Sequence, residues 1–93
     1  MENQIKELEN AEFIFSDKAA SQRLKRKADD TTFVVHVHTD NKIIELDADD
    51  LEHAVNLGDT WIGRHSVNYV CVRRMFKNGR LATKIWSTDR KIY

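Results

Sequence analysis

The residues with the clearest chemical potential in this chain are the bases near its carboxyl end. Residues 68 to 93 contain one acid, Asp89, and seven bases: Arg73, Arg74, Lys77, Arg80, Lys84, Arg90 and Lys91. Guanidinium and ammonium groups bind phosphate oxygens through charge-assisted hydrogen bonds. A local excess of positive charge attracts a polyanion even though the formal net charge of the whole chain is zero. This segment therefore predicts binding of nucleic acid or of an acidic partner.

A β-hairpin must position these bases. Asn78-Gly79, flanked by β-branched and aromatic residues, is typical of a two-residue turn between antiparallel strands. Such a turn predicts a register with these pairs: Lys77 with Arg80, Met75 with Ala82, Arg73 with Lys84, Val72 with Ile85, Cys71 with Trp86, and Tyr69 with Thr88. Like charges opposite each other on a sheet are destabilising, so we expect a polyanion to neutralise them.

The alternation of side chains along strands sorts the hairpin residues onto two faces. The predicted buried face carries Val70, Val72, Phe76, Leu81 and Ile85. The predicted contact face carries four bases and three larger side chains: Arg73, Lys77, Arg80, Lys84, Tyr69, Met75 and Trp86. The bases would contact phosphates while Tyr69 or Trp86 packs on a sugar or a base.

A second basic run lies nearer the amino terminus. Ser16 is a suitable N-cap for a helix over residues 17 to 28, and this helix ends in a basic run: Arg23, Lys25, Arg26 and Lys27. The run is either a solvated helix end or a secondary arm that contacts phosphates. Before it, residues 3 to 15 show the spacing of a short amphipathic helix, although residues 13 to 15 also fit an edge strand.

The histidines are the only candidates for a metal site. A strand over residues 31 to 39 places His36 and His38 on one face, and a turn at residues 40 and 41 returns the chain so that His36 lies beside Glu45. Only Glu45, and less directly His53 or His65, could complete a ligand set, and no cluster of Cys and His accompanies them. We therefore predict no metal, no other cofactor and a solvent-facing histidine pair.

The acids have a structural explanation. Asp47 is a suitable N-cap for a helix that ends at Gly58, and the acids that follow Asp47 complement the helix dipole. Trp61 and Ile62 then predict a further strand. We find no phosphate loop, no nucleophile motif and no Cys/His pair at catalytic spacing, so the sequence predicts a protein that is not an enzyme.

Length and composition predict one compact α+β domain. A small antiparallel sheet would pack with two or three helices, with residues 1 to 30 forming a helical segment and residues 31 to 93 the sheet and the acidic helix. The protein would be a monomer or a small homo-oligomer. The single cysteine, Cys71, and the lack of a long apolar run predict a cytoplasmic protein without a disulfide or a membrane span.

Several features of residues 43 to 86 occur in the same order in a known DNA-binding module. They are Asp47, Asp50-Leu51, Val55, Trp61, Tyr69-Val70, Arg73 and Gly79. The segment resembles the amino-terminal module of phage HNH homing endonucleases, which is similar to the three-stranded sheet plus helix of ethylene-response-type domains. In that family a His-Arg pair opens the nuclease; here residues 86 to 90 read WSTDR, and no histidine follows His65. The resemblance thus implies a DNA-binding module without the nuclease.

Two functions from different classes follow from these patterns. The first is a non-catalytic nucleic-acid-binding module of phage type that uses the basic sheet face. The second is a phage or mobile-element protein that inhibits a host defence nuclease, as anti-CRISPR proteins do, through either the basic sheet or the acidic helix. Charge substitutions on the two surfaces discriminate between them.

Overall fold

Strand pairing in the first half of the chain follows the predicted register. A computed structural model describes residues 14–26 and 32–89 of the 93-residue chain. Strands β1 (Phe33–Thr39) and β2 (Ile43–Ala48) pair antiparallel, with Val37 opposite Ile44 and His36 opposite Glu45. The turn at residues 40 and 41 is closed by a hydrogen bond from the Thr39 amide to the Lys42 carbonyl (2.9 Å). Local alternation and turn chemistry were sufficient to predict this hairpin.

The described residues form an α+β domain, as predicted, with two helices and one four-stranded antiparallel sheet. The elements other than β1 and β2 are α1 (Asp17–Arg26), α2 (Leu51–Ile62), β3 (Val67–Met75) and β4 (Leu81–Asp89). The strand order is β2-β1-β3-β4, so β1 and β3 are central and β2 and β4 are edges. The sheet has one strand more than the three that the family resemblance implies.

The main core lies between the sheet and α2. We call this side of the sheet the α2 face; its fully buried strand residues include Val35, Val37, Val70 and Val72. Ala54 of α2 packs against these valines, and Trp86 of β4 is partly buried at the margin of the same cluster. Burying branched aliphatic side chains stabilises the fold by roughly 1.5 to 3 kcal/mol each, so this layer is the main source of stability.

The opposite side of the sheet is also partly covered. We call it the α1 face, since α1 and the helical residues Ile14 and Phe15 before it pack there. Val34, His36 and Cys71 on this face are almost completely buried. Ser16 caps α1 as predicted, accepting a hydrogen bond from the Ala19 amide at 3.1 Å. The rest of the helix predicted over residues 3 to 15 lies outside the described residues.

Helix α2 differs from its prediction at both ends. The N-cap is Asp50, whose side chain accepts a hydrogen bond from the His53 amide at 2.7 Å. Asp47 remains in β2, opposite Val34. Gly58 does not end the helix, which continues through Trp61 to Ile62, so the strand predicted at those two residues was wrong.

The reason for the error at Gly58 is packing rather than backbone conformation. An added β-carbon at Gly58 would lie 2.6 Å from a ring carbon of Trp86 and 3.1 Å from a methyl carbon of Val70. Glycine therefore permits α2 to approach the sheet closely, and a sequence pattern does not distinguish this use of glycine from a helix stop.

The β3–β4 turn is longer than the predicted two-residue turn. Asn78 does not have a positive φ, and Gly79 does, at 80°. The Gly79 amide donates to the Phe76 carbonyl (2.9 Å), and the Phe76 amide donates to the Arg80 carbonyl (2.8 Å). This is a three-residue hairpin loop ending in a left-handed glycine, the common alternative to the two-residue turn.

The longer turn and two irregularities in pairing shift most of the predicted register. Arg73 does face Lys84, but Val72 faces Trp86 instead of Ile85, and Met75 faces Leu81 instead of Ala82. Between these pairs β4 carries an additional residue at each of two places, which is how β-bulges alter the face on which a side chain lies. The predicted faces of β4 are wrong for this reason.

Burial on the hairpin changes accordingly. Val70 and Val72 are buried as predicted, but Phe76 and Ile85 are each 50% exposed and Leu81 is half-buried. Phe76 lies on the α2 face beyond the reach of α2. Its replacement by alanine should therefore cost much less than the roughly 3 to 5 kcal/mol of a core phenylalanine.

Candidate nucleic-acid interface

The structure places five bases on one hairpin end with little opposing charge. We call residues 73 to 84 the basic hairpin; its bases are Arg73, Arg74, Lys77, Arg80 and Lys84. Arg73 and Lys84 face each other across β3 and β4, and Lys77 and Arg80 lie in or next to the turn. Neither Arg74 nor Lys77 has an ion-pair partner in the part of the chain that the structure describes. The hairpin thus concentrates positive charge at one end of the sheet.

One base of the hairpin is paired. The Arg80 guanidinium lies 2.5 Å from Asp17 at the start of α1, with both side chains well exposed. Exposed ion pairs stabilise a fold by roughly 0 to 1 kcal/mol. A phosphate could therefore replace the Asp17 carboxylate at little cost.

Aromatic rings lie among the bases on the α1 face. The Lys84 ammonium donates to the Tyr69 hydroxyl at 3.0 Å and lies 5.4 Å from the centre of the Tyr69 ring. The His38 ring meets the Tyr69 ring edge-on at 5.0 Å. The hydrogen bond to Tyr69 is the main factor that raises the pKa of Lys84, so the side chain stays cationic. Tyr69, His38 and Lys84 form one connected surface.

Arg73 extends this surface toward α1. Its guanidinium lies 4.7 Å from the centre of the Phe15 ring and donates to the Ala82 carbonyl at 3.2 Å. Its buried Nε has no hydrogen-bond partner among the described residues. Phe15 is 52% exposed. The sequence analysis did not include Phe15 or His38 in this surface. Only the packing of α1 on the sheet brings Phe15 to Arg73, and only the pairing of β1 with β3 places His38 opposite Tyr69.

Two predicted contact residues lie elsewhere. Met75 is buried, at 6% exposure, and Trp86 lies on the α2 face against Gly58. The one-residue shifts of β4 account for Trp86. Of the predicted contact set, the structure brings together Tyr69, Arg73 and Lys84, with Lys77 and Arg80 nearby at the turn.

Arg23, predicted to belong to a secondary basic arm that contacts phosphates, does not lie on the surface. This side chain is only 2% exposed. It donates to Glu45 through Nε (2.7 Å) and Nη2 (3.2 Å), to the Gly79 carbonyl (3.1 Å) and to the Ile14 carbonyl. Arg23 therefore joins α1 to β2 and to the hairpin turn. Lys25 is exposed, whereas the Arg26 side chain and Lys27 lie outside what the structure describes.

The histidine pair is not solvent-facing as predicted. His36 is 2% exposed, with its Nε2 3.3 Å from a carboxylate oxygen of Glu45. Burial lowers the pKa of His36, against the opposing effect of Glu45. Burial, with smaller effects of His36 and Arg73, lowers the pKa of His38 to about 4. Within the described ranges, no three His, Cys, Asp or Glu side chains are grouped as a metal site.

These two histidines predict a loss of stability in acid. Both pKa values are lower in the folded state than the usual 6.5, so the unfolded chain binds more protons as the pH falls from 6.5 toward 4. We expect the urea midpoint to fall across this range. His38→Gln should make the dependence shallower, whereas His65→Gln, on an exposed loop, should leave it unchanged. Equal pH dependence in wild type and His38→Gln would contradict this assignment.

The acids at the start of α2 are separated from Tyr69 and Lys84 by the sheet. Asp49, Asp50 and Glu52 lie exposed at the start of α2, and Asp50 is engaged as the N-cap. Other acids do lie on the α1 face: Asp89 is opposite Tyr69, and Glu45 and Asp47 of β2 are opposite His36 and Val34. Cys71 is buried, and burial raises the pKa of its thiol, so it stays protonated.

The cations and rings of this arrangement are of the kind that bind anions and stack on planar groups. None of the described helices is sufficiently long and apolar to span a membrane. Comparison with protein families, with curated proteins and with solved structures gave no match for this chain.

Proposed function

We propose that this protein is a non-catalytic nucleic-acid-binding module whose basic hairpin contacts phosphates. The observation that supports the proposal is the presence of five bases and no acid within residues 73 to 84; among the described residues, a carboxylate holds only Arg80 of these five. Phosphate contacts supply most of the non-specific affinity of nucleic-acid-binding proteins. In this proposal the module acts in the cytoplasm, where its single cysteine stays reduced.

The proposal is tested by reversing two exposed charges that have no role in the core. We expect Lys77→Glu with Lys84→Glu to reduce binding of a labelled oligonucleotide by at least 10-fold. The slope of log K against log salt should become shallower by roughly 1.5 to 2, because two phosphate contacts are lost. The measurement is fluorescence anisotropy at two salt concentrations, with circular dichroism as the check on folding. Arg73 is not changed, because it also packs on Phe15. Weaker binding of an Arg73 variant could therefore result from a change in the fold as well as from the loss of a phosphate contact.

A matched control changes the same net charge at the other end of the sheet. Lys42→Glu with Arg64→Glu alters the β1–β2 turn and the loop before β3, and both residues are exposed. Because the Arg64 guanidinium lies 4.0 Å from the centre of the Trp61 ring, circular dichroism must show that this variant is folded as well. We expect this variant to retain its affinity within about 3-fold, since distant exposed charges are largely screened. Equal losses in both variants would show only a general effect of net charge and would contradict a defined basic interface.

The second function, inhibition of a host defence nuclease, is favoured by one observation. Leu51 is 44% exposed and lies among the acids at the start of α2. An acidic surface with an apolar centre could occupy a basic channel that normally holds nucleic acid. If the protein is a nuclease inhibitor that acts through this surface, Asp49→Lys with Glu52→Lys should abolish the inhibition. If it is a nucleic-acid-binding module, the same variant should bind nucleic acid as well as wild type or more tightly.

A further inference from the structure

We infer that the ligand of this surface is single-stranded nucleic acid rather than a duplex. The inference rests on the proposed function and names its substrate class. It combines two independent observations on the α1 face: α1 obstructs the face that would enter a groove, and exposed aromatic rings alternate there with the bases.

The obstruction by α1 is a matter of size. The major groove of B-DNA is about 12 Å wide and admits one helix or a two-stranded ribbon. Here α1, a helix of about 10 Å diameter, lies on the sheet itself and is fixed by the buried Arg23 to Glu45. It also packs against the turn, where Arg23 binds the Gly79 carbonyl and Asp17 binds Arg80. Neither the sheet face nor the hairpin turn can enter a groove without displacing α1.

The rings provide a surface for unpaired bases. Tyr69 is half-buried and Phe15 is 52% exposed, and each has a cation beside its ring, Lys84 and Arg73 respectively. Alternation of planar rings with cations suits a single strand, whose bases are free to stack while its phosphates meet the cations. The exposed Lys84 can rotate away from Tyr69 without disturbing the core. A duplex keeps its bases paired and gains nothing from these rings.

Tyr69 and Arg73 lie four residues apart on β3, which corresponds to roughly 13 Å along the strand. The two ring–cation pairs therefore mark a path on the uncovered part of the α1 face. The path includes Lys84 of β4. Asp89, opposite Tyr69, lies at the far end of the path from the turn and disfavours extension of the phosphate backbone beyond that point.

The experiment measures binding of the whole chain to three labelled probes of equal length: 15-nucleotide oligo(dT), 15-nucleotide oligo(rU) and a 15-base-pair duplex. We expect both single strands to bind at least 10-fold more tightly than the duplex at the same salt concentration. Comparison of the two single strands distinguishes DNA from RNA as the preferred ligand. The charge-reversal variant Lys77→Glu with Lys84→Glu tests binding by the hairpin in the same assay.

Aromatic variants test the stacking directly. Tyr69→Ala should weaken single-strand binding by roughly 5- to 150-fold, the range observed when a stacking residue is removed, whereas Tyr69→Phe keeps the ring and should stay within about 3-fold of wild type. Phe15→Ala should also weaken binding. Phe76→Ala is the matched control, because Phe76 is 50% exposed but lies on the α2 face. Circular dichroism and thermal melting identify variants that fail to fold.

Two results would overturn the inference while leaving the proposed function intact. The first is that the duplex binds as tightly as the single strands or more tightly. The second is that Phe76→Ala and Tyr69→Ala weaken single-strand binding equally. In both cases the proposed function stands if charge reversal on the hairpin still reduces binding. Absence of binding to all three probes would instead refute the proposed function.

Discussion

Replacing Arg23 by methionine is expected to lower the free energy of unfolding by about 3 to 5 kcal/mol, the cost of removing one partner of a buried ion pair. Arg23 is 2% exposed and supplies hydrogen bonds to Glu45 and to two backbone carbonyls. Its loss leaves Glu45 facing a buried His36 and removes the main polar attachment of α1 to the sheet. Urea denaturation followed by circular dichroism measures the change.

The control for this prediction lies two residues further along the same helix. Lys25→Met makes a comparable change at an exposed position, and surface substitutions usually alter stability by less than about 0.5 kcal/mol. The double variant Arg23→Met with Glu45→Leu should be more stable than Arg23→Met alone, because the carboxylate that Arg23 neutralises is removed together with it. If Arg23→Met were as mild as Lys25→Met, then α1 would not be fixed to the sheet in solution as the structure shows.

Replacing Gly79 by alanine is expected to lower the free energy of unfolding by about 2 to 5 kcal/mol. The φ of 80° at Gly79 disfavours an L-residue by roughly 1 to 2 kcal/mol. A β-carbon there would also collide with the backbone carbonyl oxygen of Ala20 and lie 3.1 Å from Leu24, and overpacking adds roughly 1 to 3 kcal/mol. The midpoint of thermal unfolding and the anisotropy assay should both change, because the turn carries part of the basic hairpin.

Gly63 provides the matched control for Gly79. Its φ of −79° suits any residue, and an added β-carbon would have its nearest neighbour 3.8 Å away. Gly63→Ala should therefore be neutral or stabilising by about 0.4 to 1 kcal/mol, since alanine restricts the unfolded chain. A harmless Gly79→Ala would show that α1 does not pack against the turn.

Local patterns were sufficient wherever short-range chemistry decides the structure. The β1–β2 register, including His36 opposite Glu45, follows from alternation along the strands and a short turn, both of which are visible in a few consecutive residues. The same holds for the Ser16 cap. The predicted pairing of Arg73 with Lys84 is found for a different reason, because an additional β4 residue between this pair and the turn offsets the longer turn. For the candidate site, the sequence identified Tyr69, Arg73 and Lys84 because they share one face of one strand pair.

The remaining features depend on contacts between residues far apart in the chain. Trp86 packs where α2 approaches the sheet at Gly58, and the turn at Gly79 packs against α1; no local pattern reports either contact. Arg23 belongs to a basic run that is typical of a solvated helix end, yet its side chain is buried against Glu45 and the hairpin turn.

The amino-acid sequence by itself determined the charge of the hairpin, the α+β class and the alternation that places bases beside a tyrosine. Only the tertiary structure decided which face stays open, because the docking of α1 buries His36 and Cys71 while bringing Phe15 to Arg73. Side-chain periodicity assigns residues to faces, but whether a face meets solvent depends on which distant element covers it.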